Sequence, residues 1–194
     1  PGDRIGLVGR NGAGKTTTMR ILAGEGEPYA GTVIRTGDIG YLPQDPREGD
    51  LDVLARDRVL SARGLDTLLA DLEKQQVLMA EVVDDTARDK AVRRYGQLEE
   101  RFAALGGYAA ESEAGRICAS LGLPDRVLTQ PLRTLSGGQR RRVELARILF
   151  AAAEGGAAGA NSSTTLLLDE PTNHLDADSI SWLRDFLKAH TGGL

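Results

Sequence analysis

The sequence predicts an α/β fold, a parallel-rich sheet into which a helical subdomain with a hairpin arm is inserted. Three observations predict it. Residues 4–8 (RIGLV) form a short apolar run that enters a glycine-rich turn and then a helical stretch. Residues 166–168 (LLL) form a second apolar run, ending in two carboxylates, Asp169 and Glu170. Apolar runs of this length between turn signals read as buried strands. Between them, residues 51–121 are charged and rich in Leu and Ala, with apolar positions spaced three and four apart, the period of an amphipathic helix.

The bulk numbers bound the reading. A chain of 194 residues that is 41% hydrophobic can bury a real core, and at 4% aromatic that core is mostly Leu, Val, Ile and Ala. A net charge of −4 excludes a basic module that holds polyanions by bulk charge, so no direct DNA binding is expected. Cys118 stands alone, which excludes an internal disulfide and leaves a buried, inert thiol as its expected role. No apolar run is long enough to span a bilayer and no signal peptide is visible, so a cytoplasmic location is expected. The chain opens at Pro1 and stops at Leu194 without a closing element, and reads as a fragment of a larger polypeptide.

Each element follows in order. After the strand at 4–8, residues 15–23 read as a helix stopped by Gly24 and Gly26. Residues 32–35 and 39–42 are short strand candidates split by Thr36, Gly37 and Asp38, and a Pro-flanked turn at 43–46 follows. Leu65, Leu68, Leu72, Gln75, Met79 and Val82 make one stripe; Ala91, Tyr95, Leu98, Phe102 and Leu105 make another. With a turn at 84–86, the two stripes predict an antiparallel helical hairpin with one shared seam, in which Gln75 is a polar guest. Gly106 and Gly107 close its second helix. Residues 114–121 read as a further helix, ended by Gly122 and Pro124. Ser136 reads as the N-cap of a helix over 139–151. The small, polar stretch 154–165 (EGGAAGANSSTT) reads as a mobile loop. The last helix is expected over 179–189. No internal repeat is visible.

The chemistry lies in four places. Gly9, Arg10, Asn11, Gly12, Ala13, Gly14, Lys15 and Thr16 fit the phosphate-loop pattern G-x-x-x-x-G-K-[ST] in full. Backbone N–H groups must turn inward to meet phosphate oxygens, and Gly9, Gly12 and Gly14 relieve the crowding that side chains would cause. The helix behind them points its positive end at the anion. In that pattern Lys15 reaches the β- and γ-phosphates and the Thr16 hydroxyl ligates Mg²⁺, with Thr17 beside it. At the C-terminal edge of the sheet, Asp169 is placed to hold Mg²⁺, and Glu170 to polarise the attacking water as general base, a role worth roughly 10²–10⁴ in rate. Gln44, in the turn after a strand, can reach Mg²⁺ and the water through its carbonyl, or is simply a solvated turn residue. Ser136, Gly137, Gly138 and Gln139 form either a second anion cradle or an ordinary helix cap with a glycine turn. Arg140, Arg141 and Arg142 then read as a solvated or salt-bridged face.

Together these residues resemble the nucleotide-binding domain of the ABC ATPase superfamily. The phosphate loop, Gln44, LSGGQ at 135–139, LLLDE at 166–170 and the loop that follows stand in the family's order and span nearly the whole chain. The resemblance implies a P-loop NTPase core of RecA-like type, Mg²⁺-dependent ATP hydrolysis, and a composite site in which LSGGQ of one cassette caps the nucleotide held by a facing one. The string EPTNHLD at 170–176 is similar to the ABC-F branch, whose soluble proteins carry two cassettes in tandem and act on ribosomes. Transporter ATPases more often have another residue where His174 stands; His174 also suits plain packing at a dimer face. The 92 positions from Gln44 to Ser136 exceed a compact helical subdomain, and the excess matches the hairpin, either the inserted arm of an ABC-F protein or an enlarged subdomain. Residues 50–113 carry 9 Lys and Arg against 14 Asp and Glu, so the arm is no basic RNA clamp; contact through Arg88, Lys90, Arg93 and Arg94 would be local.

The expected organisation is a discontinuous ATPase core over 1–49 and 146–194, with a helical subdomain over 50–145 whose arm spans about 60–107. The expected partners are a second cassette in the same chain, or a homodimer in isolation, and the ribosome. The alternative is the ATP-binding subunit of an ABC membrane transporter, docked to a membrane subunit near Gln44; a non-hydrolysing nucleotide sensor is disfavoured by intact Lys15, Asp169 and Glu170. The resemblance also implies an adenine-stacking aromatic upstream of the phosphate loop and a switch histidine after the last helix, both outside the sequence; His190 is not that histidine, because it precedes the turn at 191–193.

Overall fold

A computed structural model describes residues 3–43, 50–82, 84–153 and 164–194. Strands β1 (Ile39–Leu42) and β2 (Thr165–Leu168) pair in parallel, with Ile39 opposite Thr165 and Leu42 opposite Leu168. The hydrogen bonding continues past the two strands. Leu166 N–H donates to Gly193 O at 2.9 Å, Leu194 N–H to Asp3 O at 2.9 Å, and Ile5 N–H to Leu194 O at 2.7 Å. The last two bonds flank Leu194 in the manner of a parallel ladder. The extended segments therefore lie in the order β1, β2, 193–194, 3–5, although the interior of the sequence separates them.

The helices are α1 (Lys15–Ala23), α2 (Ala55–Leu60), α3 (Leu65–Glu81), α4 (Asp85–Ala104), α5 (Gly107–Ser120), α6 (Asp125–Leu128), α7 (Gly137–Ala152) and α8 (Ala177–Ala189). Helix α1 has the expected bounds, and Gly24 closes it in the left-handed region at φ 93°, where glycine pays no Cβ penalty. Helices α3 and α4 pack against each other along the expected seam. Leu65, Leu68, Leu98 and Phe102 are buried at its base; toward the turn Gln75 and Met79 are only half-buried, and Ala91 is the buried residue there. The turn between them ends two residues early: the Asp84 carboxylate accepts from Ala87 N–H at 3.0 Å, so Asp84 is the cap and Asp85 and Thr86 are already helical.

Helix α7 is the centre of the core. Val143, Leu145, Ala146, Ile148, Leu149 and Phe150 are all at most 2% exposed, and the helix packs on α2, α5 and β1. Gly40 makes the contact with the sheet possible, since a Cβ there would sit 2.9 Å from both Ile148 and Leu166. The charged side chains around this helix find partners, although Arg63 Nε is buried without one among the described residues. Glu144 accepts from Arg58 at 2.5 Å and from Arg147 at 2.8 Å. The Arg63 guanidinium lies 3.8 Å above the Phe150 ring and donates to Glu113 at 2.8 Å. Cys118 is buried in this core, and burial, reinforced by Asp125, pushes its thiol up to about 12. Helix α7 runs unbroken through position 145/146, so a division of core from subdomain there passes through a helix, not a loop.

Three expectations are corrected. Residues 4–8 are extended but not a buried strand: Ile5 is 79% and Val8 94% exposed. Residues 32–35 are likewise extended without pairing as a strand, and Ile34 is exposed. Ile5, Leu7, Leu22, Val33 and Ile34 line an open cavity of about 630 Å³. The helix expected to begin at 114 begins at Gly107, where the Phe102 ring fills the space a Cβ would need. Gln44 and the loop residues 154–163 lie outside the described residues.

Candidate functional site

The glycine-rich loop is built from its backbone. Gly12 and Gly14 have φ of 81° and 87°, the left-handed region that lets successive N–H groups face one side. Ala13 N–H donates to Arg10 O at 3.2 Å and closes the turn. Lys15 folds back over the loop, its Nζ donating to Gly9 O at 2.8 Å and to Arg10 O at 3.0 Å. Gly9, Arg10, Asn11, Gly12, Ala13 and Thr17 are exposed, as a surface awaiting an anion must be.

The structure joins this loop to the acidic strand end. Thr16 Oγ1 donates to Asp169 Oδ2 at 2.6 Å across 153 positions of sequence. Asp169 is 5% exposed, and its N–H donates to Leu42 O at 3.2 Å, which ties it to the end of β1. Tyr41, on that strand, has its phenol raised by burial and then by Glu25 and Asp169. Glu170 follows Asp169 but turns outward. It is exposed, has φ 47°, and its carboxylate accepts from Asn173 Nδ2 at 2.8 Å. A hydroxyl and a carboxylate in contact are hard oxygen donors of the type Mg²⁺ takes alongside phosphate oxygens, so these residues fit that ion.

Ser136, Gly137, Gly138 and Gln139 form a capping box at the start of α7. Gln139 N–H donates to Ser136 Oγ at 3.2 Å and Ser136 N–H to Gln139 Oε1 at 2.9 Å. Ser136 and Gly137 are exposed, while Gly138 lies against His174, with a Cβ at Gly138 placed 3.5 Å from the His174 Cβ. The arginine run is not a solvated face. Arg140 donates to Leu135 O at 2.8 Å, Arg142 to Gly122 O at 3.0 Å, and Arg141 to the carbonyls of Asp169 and Glu170 at 2.6 and 3.1 Å. Sequence reasoning missed these three braces, because a run of like charge gives no sign of which carbonyls it will meet.

Comparisons with known proteins give the family. Residues 1–173 match the family model described as ABC transporter. The tylosin resistance ATP-binding protein TlrC of Streptomyces fradiae is 39% identical over 198 residues, covering 99% of this chain and 34% of that protein. The energy-dependent translational throttle protein EttA of Escherichia coli (strain K12) is 37% identical over 194 residues, covering 99% of this chain and 32% of that protein. The chain thus spans about a third of the length of these relatives. Among solved structures, one described as an ATP binding subunit of an ABC transporter aligns with TM-score 0.61 at 19% identity, covering 99% of this chain and 66% of that one. The archaeal ribosome recycling factor aABCE1, solved with ribosomal stalk protein aP1, aligns with TM-score 0.55 at 21% identity, covering 99% and 28%. At these identities the structures show a shared fold.

Proposed function

The chain belongs to the ABC transporter family, as an ATP-binding cassette, and from that premise we propose that it is a cassette of a soluble, cytoplasmic ABC-F protein that hydrolyses ATP and acts in translation. The observation that carries the chemistry is the 2.6 Å contact between Thr16 and Asp169, with Glu170 next in sequence on an exposed, braced turn. In this reading the loop 9–14 receives the triphosphate on its N–H groups, and Lys15 exchanges its two carbonyl partners for β- and γ-phosphate oxygens. Thr16 and Asp169 hold Mg²⁺, which when bound neutralises charge on the β- and γ-phosphates. Glu170 orients the water and accepts its proton, and Gln44 adds a carbonyl to the same water. Ser136 to Gln139 are presented to a nucleotide held by a facing cassette, in tandem in the whole protein or in a homodimer of the isolated domain. Closure on ATP is then the mechanical output, and hydrolysis resets it.

The name of TlrC ties that relative to tylosin resistance, and the name of EttA ties that one to translation; the second supports a translational role over transport. Among the described residues no helix is long and apolar enough to cross a membrane. The family model's description favours a second reading, the ATP-binding subunit of a membrane transporter, with the same site chemistry. Sedimentation of the full-length Glu170→Gln protein with ribosomes in ATP separates the two. The translational reading expects co-sedimentation and ATP turnover lowered about 10²-fold or more. Turnover at the wild-type rate removes Glu170 from its role, and failure to co-sediment favours the transporter subunit.

A further inference from the structure

We infer that Arg141 is a positioning residue for Glu170, holding the backbone of the Asp169–Glu170 junction from the helix that also carries Ser136–Gln139. The inference rests on the reading of Glu170 as the base.

Glu170 stands at φ 47°. A residue with a Cβ pays of order 1 kcal/mol or more for that region and stays there only when its surroundings over-determine it. Two donors converge on its carbonyl: Arg141 at 3.1 Å and Asn173 N–H at 3.2 Å. The same guanidinium nitrogen holds the preceding carbonyl, of Asp169, at 2.6 Å. One planar group therefore spans the peptide on either side of the junction where β2 ends and the carboxylate is aimed. Arg141 is 6% exposed, so these charge-assisted bonds form out of bulk water, where they are strong.

Its place on α7 gives the hold a direction. Arg141 lies just over one turn past Ser136, and Gly138, between them, packs on His174, itself at φ 70°. The turn from Asp169 to His174 is thus laid along the first turns of α7 and fastened at both ends. A shift of Ser136–Gly138 toward a facing nucleotide would carry the Glu170 backbone with it. A lysine keeps the charge but carries it as a compact, strongly hydrated ammonium on a flexible stem, not on a rigid plane that presents one nitrogen to both carbonyls.

The test uses full-length Arg141→Met and Arg141→Lys, each also in a Glu170→Gln background. The loop at 9–16 is untouched, so ATP affinity by calorimetry stays within about twofold of wild type. kcat falls about 10- to 100-fold in R141M, the scale of a misplaced reacting group, and by less in R141K. Neither substitution lowers turnover further once Glu170 is Gln. A folded R141M or R141K with wild-type kcat overturns the inference, as does a loss that adds in full to that of Glu170→Gln. A loss of ATP affinity in step with kcat also overturns it. If R141M does not fold, R141K alone decides on the same outcomes. Wild-type turnover by Glu170→Gln sinks the base assignment, whereas an impaired Glu170→Gln beside an unimpaired R141K sinks only the role of Arg141.

Discussion

The half of the molecule that handles phosphate and the half built around α7 are packed to different degrees. Helix α1 has no buried residue, and Ile5, Val8 and Ile34 beside it are largely exposed. Helix α7 buries eight residues of sixteen. The phosphate-side groups are fixed by polar bonds instead: Lys15 on two carbonyls, Thr16 on Asp169, Asp169 on Leu42. Apolar burial supplies stability roughly in proportion to area, so the α7 half carries most of it. The polar half keeps donors and acceptors that a ligand can take over without unpacking a core.

The sharpest way to break that comparison is to truncate one leucine in each half. Leu149 is fully buried, and Leu22 is 40% exposed. Leu149→Ala should cost about 2–5 kcal/mol, because it leaves a cavity that cannot collapse. Leu22→Ala should cost under about 1 kcal/mol, because little area is lost. Urea denaturation of the full-length protein measures both. Equal costs would mean that the phosphate half is covered in the whole protein, and the contrast would belong to this cassette alone.

A smaller effect sharpens the same contrast from the ligand side. A nucleotide that binds only the folded state adds about 2.7 kcal/mol at 100 times its Kd. Thermal unfolding should therefore shift upward with ATP and Mg²⁺. Lys15→Ala should abolish the shift while leaving the unliganded Tm within a few degrees, since among the described residues the Lys15 ammonium donates to loop carbonyls. A preserved shift in that variant would take Lys15 out of the binding site.

What was legible in the sequence divides along the same line. The bounds of α1, the cap at Ser136 and the seam of the hairpin were readable because their causes are local: a left-handed glycine, a hydroxyl three residues before a glutamine, a repeat of three and four. Residues 4–8 were misread because an apolar run tells what prefers burial, not what is available to cover it. The early start of α5 was missed because Gly107 looks like a stop, yet the Phe102 ring needs its missing side chain. The Thr16–Asp169 contact was implied by the motifs, whereas the braces of Arg141 and Arg142 depend on long-range placement that no spacing encodes.

The smallest expected effect lies at the joint between the halves. Asp176 caps α8, accepting from Ser179 N–H at 2.8 Å. That backbone bond, then the Ser179 side chain and Arg142, hold its carboxyl below the usual value. A carboxylate depressed in this way stabilises the fold above its unfolded pKa and loses that contribution as pH falls through its folded pKa. Asp176→Asn keeps an acceptor that caps about as well and removes only the charge. Its Tm should lie slightly below wild type at about pH 6, and the gap should close through the acid range below the ordinary carboxylate pKa. Asp176 is exposed and solvent screens it, so the gap stays small throughout. A gap that persists unchanged into acid would assign the joint to hydrogen-bond geometry rather than charge, and would set α8 with the apolar half instead of the polar one.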